Sequence, residues 1–215
     1  MSVKSYYEKK WERREQEKEQ LAYIGQWQGR ELEMFYYAIK TFIGQSILDI
    51  GAGDGAILTY IQKQKNILEL YGLEISESAI KQGKILNPSI VYIQGSADDK
   101  YPFADNKFDT LLMTDVIEHL LEVDSALVQC NRVLRLQGKL IIITPVFNWL
   151  KKIIIAAFFW EKFFHPTNQH IRFFTKKSMD VIMKKYGFKR VYYKWGLSWF
   201  GIMPQNAYFV YEKVS

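Results

Sequence analysis

The stretch SILDI (46–50), which runs straight into GAGDGA (51–56), decides the fold. Five mostly aliphatic residues read as a buried strand, and the glycines behind them read as a tight turn into a helix reaching about residue 65. The same pairing recurs downstream. LELYGLEI (68–75) is a second strand, and Ser76 with Glu77 opens a helix that runs to about Leu86 and stops at Asn87 and Pro88. SIVYIQG (89–95) and FDTLLMT (108–114) are a third and a fourth strand, residues 122–135 a helix, and GKLIIITP (138–145) a fifth strand. Strands alternating with helices at this spacing predict an α/β, doubly wound sheet, mostly parallel, with helices on both faces. A Thr175-capped helix (176–186) then leads to FKRVYYKW (188–195) and NAYFVYEK (206–213). Only a loop joins these last two strands, so they pair antiparallel, giving seven strands with the last one antiparallel.

Two segments stand outside the alternation. Residues 1–45 form a helical segment ahead of the domain at 46–215. Its part EKKWERREQEKE (8–19) has five acids and five bases and reads as a solvated helix, and a second helix follows at 30–42. Residues 147–170 are an insert after strand five, with the apolar block IIIAAFFW (153–160) between Lys151, Lys152 and Lys162. The block is far shorter than the roughly 20 residues that span a bilayer.

The chain has 215 residues, 48% of them hydrophobic, enough for one domain with one core. Five prolines and the single Cys130 exclude a disulfide scaffold and point to a reducing compartment. The opening MSVKSYYEKKWERREQ has no leader-like apolar run, so the expected location is the cytoplasm. The net charge of +6 is uneven. Residues 1–146 hold 17 Lys and Arg against 20 Asp and Glu, whereas 147–215 hold 12 against 3 and carry 19 of the 34 aromatics. The last third therefore suits an anionic or apolar partner, unless it is simply a solvated face over an aromatic core.

The glycine turn fits two templates, GxGxG at 51, 53 and 55 and the dinucleotide pattern GxGxxA at 51, 53 and 56. Asp49 separates them, because an acid at the strand end repels a pyrophosphate and attracts a ligand carrying sulfonium and ammonium groups. Glu74 ends the second strand, where an acid accepts hydrogen bonds from a ribose diol in either class of site. Gly95, Ser96, Ala97 and Asp98 follow the third strand, where an adenine edge can be read.

LDIGAGDG (48–55), the strand end at Glu74, GSADDKYPFADNKFD (95–109) and LLMTDVIEHL (111–120) together resemble successive motifs of the class I S-adenosylmethionine-dependent methyltransferases. The resemblance covers about residues 46–145 and implies a Rossmann-like sheet with S-adenosylmethionine as cofactor. QHIRFFTKKSMDVIMKKYGF (169–188) resembles a region of the small-molecule branch that includes the ubiquinone-pathway O-methyltransferases. Carried over, the resemblance implies that Asp49, Gly51, Gly53 and Gly55 cradle the methionine moiety and that Glu74 holds the ribose hydroxyls. It implies that Ser96, Ala97 and Asp98 border the adenine, and that Thr114 and Asp115 close the site beneath the methionine. Ser96 stands where many relatives have Asp or Asn.

Asp115, Glu118 and His119 follow the fourth strand, at the sheet edge where open α/β folds bind ligands, and could act as a base or hold a divalent cation. Some methyltransferases with an ExxEH string, RNA-end and ubiquinone-pathway enzymes among them, use it as a metal site. This chain has Asp at the first position, and the reading preferred here is a pocket-shaping role with no metal. His119, His165 and His170 all fall beside the expected cleft, and His119 or His170 is the candidate catalytic base. The insert is the expected acceptor side. Its scattered polar residues favour a buried lid helix over one lying on an anionic membrane through 149–164. The expected acceptor is a small molecule, apolar, aromatic or lipid-linked. A nucleic-acid methyltransferase is the alternative suggested by the basic last third, but MTDV (113–116) stands where a base-amino methylase needs Asn/Asp-Pro-Pro-aromatic. An NAD(P)-dependent oxidoreductase is opposed by Asp49.

Overall fold

The structure is a computed structural model that describes residues 2–16, 30–67, 69–165, 168–198 and 203–215. Its centre is a seven-stranded sheet in the order β3-β2-β1-β4-β5-β7-β6. The strands are β1 (Ser46–Ile50), β2 (Glu69–Glu74), β3 (Val91–Gln94), β4 (Phe108–Thr114), β5 (Leu134–Pro145), β6 (Phe188–Ser198) and β7 (Met203–Lys213). The first five run parallel, and β7 is antiparallel to both β5 and β6. The helices are α1 (Val3–Gln16), α2 (Arg30–Phe42), α3 (Ala56–Gln64), α4 (Glu77–Leu86), α5 (Val123–Val133), α6 (Trp149–Phe158), α7 (Trp160–Phe163) and α8 (Lys176–Lys185).

The two faces of the sheet follow from strand alternation. Leu48, Leu111, Leu140 and Phe209 face α5 and α8, where they meet Leu127, Cys130, Met179 and Met183. Ile47, Leu112, Ile141 and Tyr208 face the other way, onto Phe35 and Ile39 of α2 and Leu58 and Ile61 of α3. Asp49 is two residues on from Ile47 and so falls on the α2 and α3 face. Its neighbour in β2 is Gly72.

Three differences from the sequence reading stand out. Strand β5 starts at Leu134 rather than 138, because Leu134 pairs with Phe108 across a register shift. Helix α1 starts five residues earlier than the charge pattern suggests, and 17–19 lie outside the described residues, as do Leu68 and part of the β6–β7 loop. The largest difference is the insert. A buried lid helix is not what forms there. In α6 only Ile155 is buried, while Trp149 is 71% exposed, Ile153 57% and Phe158 78%.

Candidate active site

Parallel strands leave a crevice at their carboxyl ends where the order of connection reverses, here between β1 and β4. A cavity of about 420 Å³ lies there. It is lined by Gly51, Gly53, Glu74, Ser96, Ala97, Asp98, Thr114, Asp115, His119 and His170, which are ten of the twelve residues picked out from sequence as site candidates. Asp49 and Gly55 lie behind the wall.

The glycine turn explains its own composition. Gly55 caps α3 with φ +73°, and a Cβ there would come within 2.1 Å of the Tyr92 hydroxyl, so its part is to let the helix start against β3. Gly53 has φ +55°, and a Cβ on it would meet the Trp11 ring at 2.7 Å. Glu74 is 5% exposed and pins this turn. Its Oε2 accepts from the N–H of Gly53 and its Oε1 from the N–H of Ser76, each at 2.9 Å. Burial raises its pKa, and these backbone donors oppose the rise.

Asp49 is 2% exposed, and burial, with Glu74 nearby, pushes its pKa up to about 7. Two buried acids, Glu74 in the cavity wall and Asp49 behind it, favour a cation in front of them. Asp98 lines the cavity, but its carboxylate oxygens also accept from the backbone of Leu121 and Glu122 at 3.3 and 3.1 Å, which fixes the entry to α5. The Asp98 N–H in turn donates to Ser96 Oγ at 3.2 Å.

On the opposite wall Asp115 takes up φ +49°, an uncommon conformation for a residue with a side chain. Glu118 is buried, its Oε2 accepts from Thr144 Oγ1 at 2.9 Å, and its Oε1 has no hydrogen-bond partner among the described residues. Burial raises both carboxyl pKa values, and Asp115 adds to the rise at Glu118. Nδ1 of His119 is 2.9 Å from the carbonyl oxygen of Gln169. A carbonyl only accepts, so Nδ1 carries the proton and Nε2 keeps the lone pair. Burial lowers the His119 pKa to about 4 and also lowers that of His170, leaving both rings neutral at pH 7. Their centroids are 4.8 Å apart. Ligand-capable atoms of Glu118, His119 and His170 lie within 4.8 Å of one another, a donor set that could hold a divalent cation. His170 arrives from the insert, 51 residues along the chain, and no spacing rule in the sequence joins it to Glu118.

Two expectations are corrected. His165 is exposed and does not line the cavity. Of the insert, expected as the acceptor side, only Gln169 and His170 reach the cavity among the described residues. The sequence reading also missed a wall altogether. Val3, Tyr7, Lys10 and Trp11 of α1 line the cavity, and their spacing of four, seven and eight residues is one helical face that the charge count concealed.

Residues 48–142 match the family model of a methyltransferase domain. The chain is 33% identical over 106 residues to a demethylmenaquinone methyltransferase of Renibacterium salmoninarum, covering 49% of this chain and 43% of that one. It is 30% identical over 104 residues to a ubiquinone/menaquinone biosynthesis C-methyltransferase of Cupriavidus metallidurans, covering 46% and 43%. The chain thus matches less than half the length of these relatives, and the transfer in the second one's name is to carbon. Among solved structures, an S-adenosylmethionine-dependent methyltransferase of Methanosarcina mazei superimposes with a TM-score of 0.66 at 19% identity, covering 82% of this chain and 96% of that one. The cavity suits that cofactor on this chain's own terms, since one buried acid, Glu74, lines it and a second, Asp49, stands behind its wall, where they favour a cationic ligand. Over residues 48–142 the chain matches a methyltransferase domain, and it resembles the class I S-adenosylmethionine-dependent methyltransferases, the ubiquinone-pathway enzymes among them.

Proposed function

We propose that the protein methylates a small-molecule acceptor, apolar or ring-bearing, with S-adenosylmethionine as donor. The observation that carries this reading is the cavity at the carboxyl ends of β1, β2 and β4, which gathers the glycine turn, Glu74 and the 96–98 loop on one side and His119 and His170 on the other. The cofactor supplies a methyl carbon already activated by its sulfonium. The chain's part is to hold the acceptor in line with that carbon and to take a proton where the acceptor must lose one. Neutral His119, fixed by Gln169, has Nε2 available to accept it, and His170 stands beside it. The quinone names of the relatives make reduced quinones the first acceptors to try.

Titration calorimetry with S-adenosylmethionine and with NAD tests the cofactor, and binding of NAD alone would end the proposal. Turnover on a reduced-quinone panel tests the acceptor. Replacing His119 or His170 by Ala should lower turnover about 10²-fold or more without loosening cofactor binding, the usual worth of a positioned base. Unchanged rates across pH would remove both from that role.

A second reading concerns the acceptor's source. Trp149, Ile153, Phe158 and Trp160 are exposed beside Lys152 and Lys162, the pairing of apolar and basic side chains that holds a helix on an anionic bilayer. A lipid-borne acceptor would then be met at the surface. Among the described residues, no helix is long and apolar enough to cross a membrane.

A further inference from the structure

Among its described side chains, residues 3–13, helix α1 has no fully buried residue, in contrast to α2, whose Phe35, Ala38 and Ile39 are 2% exposed or less. Yet it crosses the mouth of the cavity and is fastened on both sides. On one side the Glu8 carboxylate accepts from the backbone N–H of Glu77 and of Ser78, each at 2.9 Å, and from the Ser78 hydroxyl. These two N–H groups belong to the first turn of α4, which has no intrahelical acceptor for them and favours an anion. The amide of Gln82 reaches the carbonyl of Trp11 at 3.4 Å. On the other side the side-chain amide of Gln169 donates to the Tyr6 hydroxyl, while the carbonyl of the same Gln169 faces Nδ1 of His119.

Between these fastenings Trp11 rests on the glycine turn, so close that a single carbon on Gly53 would collide with it. A nucleoside cannot pass between an indole and a backbone at that separation. We propose that α1 is a strap that closes over the bound cofactor, that the cofactor enters and leaves only when Glu8 lets go of α4, and that through Tyr6 and Gln169 the closed strap sets the orientation of His119. Tyr7, Lys10 and Trp11 are then walls of the cofactor site, and Glu8 and Tyr6 are positioning residues. Opening is local, because the strap's hold is a handful of surface hydrogen bonds while the core beneath stays packed. The inference rests on the cofactor reading above.

The test compares the full chain with Glu8→Ala, Glu8→Gln and Tyr6→Phe, using S-adenosylhomocysteine as probe. Calorimetry gives affinity, displacement gives the off-rate, and amide hydrogen exchange follows residues 3–16. In the unaltered protein those amides should exchange more slowly once the probe is bound. Glu8→Ala should raise the off-rate about tenfold and raise the on-rate with it, since entry and exit wait on the same local opening. Glu8→Gln, which keeps one acceptor oxygen, should fall between. Tyr6→Phe should leave the off-rate alone and move the pH profile of turnover. If the unaltered protein binds the probe but Glu8→Ala and Glu8→Gln match it in off-rate and in exchange, the strap is refuted and the cofactor reading stands. If the unaltered protein does not bind the probe, the cofactor reading fails and takes the strap with it.

Discussion

Asp49 shows how much one buried side chain can report. Its pKa of about 7 is set by burial and by Glu74, so without a cationic ligand the folded chain holds a proton there that the unfolded chain gives up near 3.8. The sign follows from linkage. Asp49's contribution to stability is fully present below the unfolded pKa and is lost as pH rises from about 4 to about 7. Without cofactor, Asp49→Asn should therefore melt above the unaltered protein at pH 8 and converge on it towards pH 4, which a calorimetric pH series reads directly. Cofactor affinity should run the opposite way and tighten from pH 6 to pH 8 as the carboxylate ionises. Asp49→Asn should flatten that dependence in titration calorimetry. Sequence placed this acid correctly at the strand end, because position along a strand is local information. It did not show that Asp49 stands behind the wall, since that depends on which residues of other elements cover it.

At the scale of elements, agreement tracks how local each signal is. Strands β1 and β4 and helix α4 were legible to the residue because their apolar runs end at glycine, asparagine or charged residues. The insert misled, because an apolar block of eight reads equally well as buried or exposed until its partners are known, and α6 finds only one. Helix α1 misled in the reverse sense, its eight charges hiding the Val3, Tyr7 and Trp11 stripe. Helix α2 is the helix of the 1–45 segment that belongs to the core, and its loss would be felt. Ile39→Ala should cost about 2–5 kcal/mol in chemical denaturation, the usual range for emptying a buried aliphatic site. Gly55→Ala should cost roughly 1–2 kcal/mol from its left-handed backbone alone, with Tyr92 adding to it, and should disturb the start of α3 without removing any ligand contact.

Over the whole molecule the charge asymmetry acquires a place. The slightly acidic first two-thirds holds the cofactor wall, with Glu74 in it and Asp49 behind it. The basic last third carries the exposed aromatics of α6 and α7. If that face meets an anionic bilayer, co-sedimentation with phosphatidylserine vesicles should fall with added salt, and it should fall again when Trp149 and Phe158 are both replaced by serine. Binding only at low salt and indifferent to the two replacements would make the charge a solvated surface and nothing more.

The place of β7 in the sheet also sets the order in which the protein can be made. This strand is the last of the seven in sequence, yet among the described residues it is the only strand beside β6 and the only cover for the outer edge of β5. Lys213 at its end reaches back to the carbonyls of Asn131 and Leu134, where α5 finishes. Until residues 203–213 have left the ribosome, a growing chain can assemble the parallel half, but it carries an open, aliphatic edge at Leu140, Ile141 and Ile142 and an orphan strand beside it. Interruption of synthesis between codons 203 and 213 would therefore release a sticky, half-closed sheet, not a slightly shortened domain.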